Sequence, residues 1–67
     1  MNREYKVVVY SKITELEEYE YFTNKKDSIK YAKNMADENT ITSVWLYEFD
    51  DEFTEEYSEC IWESEEL

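Results

Sequence analysis

The side chains able to do chemistry here are mostly carboxylates: the sequence holds 18 Asp and Glu, one Cys and no His. Without His the commonest general acid–base group is missing, and no Ser-His-Asp or Cys-His set can be assembled. Cys60 is the one cysteine. Its neighbours Glu59 and Glu63 are anions that oppose thiolate formation, so Cys60 reads as a small core residue rather than a nucleophile. Asp50, Asp51, Glu52, Glu55 and Glu56 form an oxygen-rich cluster of the kind calcium favours. An EF-hand loop also needs a glycine at its sharp turn, and the chain has no glycine. The same lack excludes Walker-type and dinucleotide-type phosphate loops. The expectation is a non-enzymatic protein with no metal and no cofactor, acting through binding.

Charge says what kind of binding. The formal net charge is −11, and it is unevenly placed. Residues 1–33 hold all 7 basic groups and 6 acids, a net of 7 − 6 = +1; residues 34–67 hold 12 acids and no base. Such a half-chain is a negative patch in search of a positive partner. Direct nucleic-acid binding is disfavoured, because phosphate recognition runs on basic groups. The one basic cluster, Lys25, Lys26, Lys30 and Lys33, reads as the solvated face of a helix.

These charges need a frame to hold them. At 67 residues the chain is read as a single acidic α+β domain, 1–67. A domain of this size buries about 60% of its unfolded surface and is marginal alone. High charge favours disorder, but 7 Tyr, 3 Phe and 2 Trp supply large apolar areas, so the chain should fold. No apolar run approaches the length of a bilayer span and no signal-peptide pattern opens the chain; no membrane partner and a cytoplasmic location are expected. One Cys allows no internal disulfide.

Residues 4–10, 17–22, 41–49 and 54–63 read as strands, rich in aromatic and β-branched types with period-2 alternation. Tyr5, Val7 and Val9 share one face of the first; Tyr19 and Tyr21 oppose Glu18, Glu20 and Phe22 on the second; Ile41, Ser43, Trp45, Tyr47 and Phe49 share one face of the third. In the fourth, simple alternation puts Glu55, Tyr57, Glu59, Ile61 and Glu63 together. Thr23-Asn24 signals a helix start, and residues 25–38 read as helix with Ile29, Ala32, Met35 and Ala36 on the buried stripe. Lys25 and Lys26 at its start, and Asp37 and Glu38 at its end, would oppose the macrodipole. Asp50–Glu52 is a turn and Ser64–Leu67 a frayed tail. The order ββαββ predicts an α+β fold: a four-stranded antiparallel sheet with one helix on one face. One helix cannot cover both faces, so aromatic surface should stay open.

On a strand, alternate side chains project together about 6.6–6.8 Å apart, and strands lie about 4.8 Å apart. Glu18 and Glu20, the set Glu55, Glu59 and Glu63, and the Asp50, Asp51, Glu52 turn would then form rows of fixed negative charge that imitate a phosphate backbone. A groove built for DNA or RNA would meet a rigid polyanion. Tyr47, with Tyr19, Tyr21 and Tyr57, would supply desolvated anchors.

The run Tyr21-Phe22-Thr23-Asn24-Lys25-Lys26-Asp27-Ser28-Ile29-Lys30-Tyr31-Ala32-Lys33, followed by Val44-Trp45-Leu46-Tyr47-Glu48-Phe49, resembles small proteins from phages and mobile elements of low-GC Gram-positive bacteria. In size and charge the chain is similar to phage-encoded DNA-mimic inhibitors, namely anti-CRISPR, anti-restriction and uracil-DNA glycosylase inhibitor proteins. The likeness lies in composition and a strand–helix–strand pattern, and it transfers no site residue. It implies a role inside an infected bacterium. The leading expectation is an inhibitor that fills the groove of a basic nucleic-acid-binding host protein. The rivals are an adaptor or regulator binding through the aromatic sheet face, and an acidic structural domain that forms a homodimer through that face.

Overall fold

The computed structural model describes residues 2–52 and 54–66. Strands β1 (Asn2–Ser11) and β2 (Glu17–Phe22) are followed by helix α1 (Lys25–Met35), strands β3 (Thr40–Phe49) and β4 (Glu55–Glu63), and a closing 3-10 turn, Ser64–Glu66. The strands form one antiparallel sheet in the order β2-β1-β3-β4, with α1 against one face. This is the expected ββαββ α+β fold. Leu67, at the end of the expected tail, lies outside the described residues.

Turns without glycine are built from polar side chains. The Ser11 hydroxyl accepts the Ile13 and Thr14 N–H groups, each at 3.3 Å. Glu15 then takes a left-handed φ of 60°, a conformation glycine would adopt at lower cost. The Asn24 side chain caps α1 by accepting the Asp27 N–H at 3.2 Å. The helix ends three residues sooner than the expected 38. The Ala36 N–H closes on the Ala32 carbonyl at 3.1 Å, and Asp37 and Thr40 exchange two backbone bonds of 3.2 Å. Asp37 and Glu38 therefore lie just past the C-cap rather than inside the helix; Lys25 and Lys26 open its first turn and oppose the dipole as expected, whereas Asp27 and Lys33, within the end turns, favour it.

The core is made of small parts. Val7, Val44 and Ala32 are fully buried, as are Ser28 and Thr42, and Tyr5 nearly so. The stripe expected on α1 holds at Ala32, fully buried, and at Ile29, packed against the core, but Met35 is 39% exposed and Ser28 joins Ala32 at the centre. Ser28 can be buried because its hydroxyl donates to the Lys25 carbonyl at 2.6 Å, and Thr42 because its hydroxyl donates to the Ala32 carbonyl at 2.9 Å. A satisfied hydroxyl avoids the penalty of about 1–3 kcal/mol for an unpaired buried group. The core rim includes Phe22 and Tyr31, whose rings lie 5.3 Å apart, with Leu46, Ile61 and Trp62.

β1 and β3 pair without a break from Asn2↔Phe49 to Ser11↔Thr40. β3 and β4 do not. Their register slips between Val44 and Trp45 and again between Glu48 and Phe49, which leaves Ile61 and Glu56 as the extra residues. Each bulge reverses the alternation. The final turn is tied down as well: the Ser64 hydroxyl accepts the Thr42 N–H at 3.0 Å, where β4 no longer pairs with β3. The frayed tail expected from Ser64 thus begins as an ordered turn.

Candidate interaction surface

The helix covers one face of the sheet, the face of Tyr5, Val7, Val9, Thr42, Val44 and Leu46. The pairings set the residues of the other face: Lys6 between Tyr21 and Trp45, Val8 between Tyr19 and Ser43, Glu4 opposite Tyr47, and Asn2 opposite Phe49. Among the described residues, no helix or strand covers this open face. Tyr19 and Tyr21, on the edge strand, are 51% and 56% exposed, whereas Trp45, Tyr47 and Phe49 are half-buried by one another and by their neighbours. Tyr47 and Phe49 stack at 6.3 Å. The Trp45 indole donates to the Ser43 hydroxyl at 3.2 Å.

Lys6 stands at the centre. Its ammonium lies 4.7 Å from the Tyr19 ring centroid and 5.3 Å from that of Tyr47, within cation–π range of both. Partial desolvation presses its pKa down. The hydrogen bond to Tyr47 and the phenols of Tyr47, Tyr21 and Tyr19 outweigh that and hold it above the ordinary lysine value. The Tyr19 hydroxyl donates to Glu17 at 2.8 Å, which raises the Tyr19 pKa. The aromatic face thus already binds a cation, and carboxylates sit beside its rings.

The expected acidic rows do not form as one surface. Glu18 and Glu20 oppose Val9 and Val7, on the helix side of edge strand β2. Glu55 opposes Phe49 and Glu63 opposes Ser43, both on the open face with Tyr47. Glu59 opposes Leu46, on the helix side. The bulge at Ile61 separates Glu59 from Glu63, and the bulge at Glu56 separates it from Glu55; the expected triad is split by backbone register. Tyr57 falls on the helix side too, opposite Glu48, and its hydrogen bond with Glu59 raises its pKa. Asp50 is structural in the turn: its carboxylate accepts the Glu52 and Thr54 N–H groups at 2.9 and 2.8 Å. Asp51 and Glu52 are exposed beside it. Cys60, expected in the core, is half-buried on the open face opposite Trp45, with its thiol 3.6 Å from the Trp62 carbonyl oxygen.

Among the described residues, no group of three or more His, Cys, Asp or Glu could hold a metal ion, and no helix is long and apolar enough to cross a membrane. The one ion pair within 4.0 Å among them joins Arg3 and Glu48 at 3.6 Å. Trp45 and Phe49 were legible only as part of an aromatic sheet face, and Lys6 and Glu4 were not legible as site residues from sequence. The usable signal was a lone lysine inside the apolar run Tyr5–Tyr10, which marks the uncovered face of a central strand. Comparison with protein-family models, curated proteins and solved structures gives no match.

Proposed function

We propose that this chain is a non-enzymatic inhibitor of the phage type, working in the cytoplasm of an infected bacterium. In this reading it occupies the nucleic-acid-binding groove of a basic host defence or DNA-processing protein and stands in for DNA charge. The observation that carries it is the charge of residues 34–67, with 12 acids and no base, ten of the acids lying from Glu48 onward on the arm of β3, β4 and the turns beside them. The molecule measures 39 × 22 × 17 Å. The bulges favour this use. With Glu55 and Glu63 on one face and Glu59 on the other, the arm is negative on both sides, as a ligand enclosed by a groove must be. DNA itself is no partner, since the same charge repels it.

The test is capture from a bacterial lysate on the immobilised chain, eluted with duplex DNA at constant salt. Retained proteins should leave with DNA, and a chain carrying Asp51→Asn, Glu52→Gln, Glu55→Gln and Glu56→Gln should retain far less. Retention indifferent to both changes would overturn the reading.

A second reading, an adaptor or regulator that binds through apolar contacts, is favoured by the exposure of Tyr19 and Tyr21 on an uncovered face. Salt separates the two, because apolar contacts survive ionic strength that screens charge.

A further inference from the structure

A groove on the open face is lined by Glu4, Lys6, Tyr21, Tyr47, Phe49 and Glu55. Its volume, about 330 Å³, lies at the small end of ligand pockets and suits one long side chain. Two carboxylates and one ammonium leave it with a charge of −2 + 1 = −1. Three of its six lining residues are aromatic rings. Lys6 leans toward Tyr19 and Tyr47, and the part of the groove over Glu4, with Tyr21 on one side and Phe49 and Glu55 on the other, is left to another cation.

We propose that this groove seats an arginine side chain of a basic protein partner, its guanidinium against Tyr21 and Phe49 and within reach of the Glu4 and Glu55 carboxylates. The inference rests on reading the partner as a basic protein, but it adds a specific contact that bulk charge does not supply. Charge complementarity chooses a cation, and the groove chemistry chooses arginine over lysine. A guanidinium is planar, stacks on aromatic faces, is weakly hydrated and presents a fork of donors to carboxylates. An ammonium is a strongly hydrated point charge, and the face already holds one in Lys6. A second copy of this chain is a poorer occupant, because each copy brings a net charge of −11.

The test titrates the full chain with nona-arginine and nona-lysine at physiological salt, by calorimetry and by amide chemical shifts. Nona-arginine should bind about threefold or more tighter than nona-lysine, the increment expected of one stacked guanidinium. The largest shifts should fall on Tyr21, Phe49 and Glu55. Tyr21→Ala should remove the arginine preference and Tyr21→Phe should keep it. Tyr21 is 56% exposed on an edge strand, so neither change should unfold the domain, and circular dichroism checks this. Glu59→Gln, on the other face, should weaken both peptides equally. Equal affinities that fall alike with any lost carboxylate would overturn the groove and leave the charge-mimic reading standing. An arginine preference that survives Tyr21→Ala, or a dimer in solution that buries Tyr21, would also overturn it.

Discussion

The two faces of the sheet use their residues in opposite ways. Under the helix the fully buried side chains are small, Val7, Val44, Ala32, Ser28 and Thr42, with Tyr5 the one large ring nearly buried among them. On the open face they are large: Tyr19, Tyr21, Trp45, Tyr47 and Phe49, around a lysine. If aromatic area served stability first, it would lie where burial is complete. Here much of it lies where burial is partial, so the covered face holds the fold and the open face holds apolar area in reserve for contact.

Core truncation should give the largest effect. Val44→Ala removes two methyl carbons from a fully buried site and should cost about 2 kcal/mol, read as a lower urea midpoint. A domain of 67 residues has about 3–10 kcal/mol in total, so this is a large share. Tyr21→Ala on the open face should cost well under half as much; equal losses would erase the distinction between the faces. Next comes the helix cap. Asn24→Ala should cost about 1 kcal/mol by freeing the Asp27 N–H, and a loss indistinguishable from zero would mean that packing alone starts α1.

Salt gives a smaller effect that sharpens the comparison in charge. The acids of residues 34–67 repel one another, and screening at physiological ionic strength acts over about 8 Å. Added salt should raise the melting temperature of the free chain by a few degrees, on the order expected for a change of some tenths of a kcal/mol. The Asp51→Asn, Glu52→Gln, Glu55→Gln, Glu56→Gln chain should respond less. Identical responses would mean that these acids do not crowd.

Alkaline pH should act next. Tyr19 and Tyr57 have pKa values raised above the ordinary 10.0 by hydrogen bonds to Glu17 and Glu59, and Lys6 lies above the ordinary 10.5. A raised folded-state pKa means that the protonated form is favoured by folding. This stability is present below the unfolded values and is lost as pH climbs past 10.0 and 10.5 through the raised ones. Tyrosinate absorbance should show Tyr19 titrating late, and Glu17→Gln should bring it back toward 10.0. The smallest effect belongs to Cys60→Ser, which should leave binding unchanged; a folded variant that no longer binds its partner would make the thiol functional.

The fold was legible because the signals agree locally. Asn24 marks the start of α1, and the alternation in β1 and β3 is regular enough to assign each residue to a face. The acidic site was only half legible. A bulge adds one residue and leaves no mark in a run such as Glu55–Glu63, where polar and apolar types already mix, so alternation groups Glu59 and Tyr57 with Glu55 and Glu63, which lie on the other face. Ser28 was missed for a related reason: the hydrogen bond to Lys25 that permits its burial is made by the helix itself. The groove was hidden because Glu4, Tyr21, Tyr47 and Glu55 come from four different strands and meet only through register.

The most direct test takes a partner captured from lysate and asks whether the chain and duplex DNA can occupy it together. Mutual exclusion is expected: DNA displaces the chain, the affinity of the chain falls steeply with salt, and the charge-neutralised arm binds weakly even at low salt. A stable ternary complex of partner, DNA and chain, with an affinity that salt does not weaken, would contradict it.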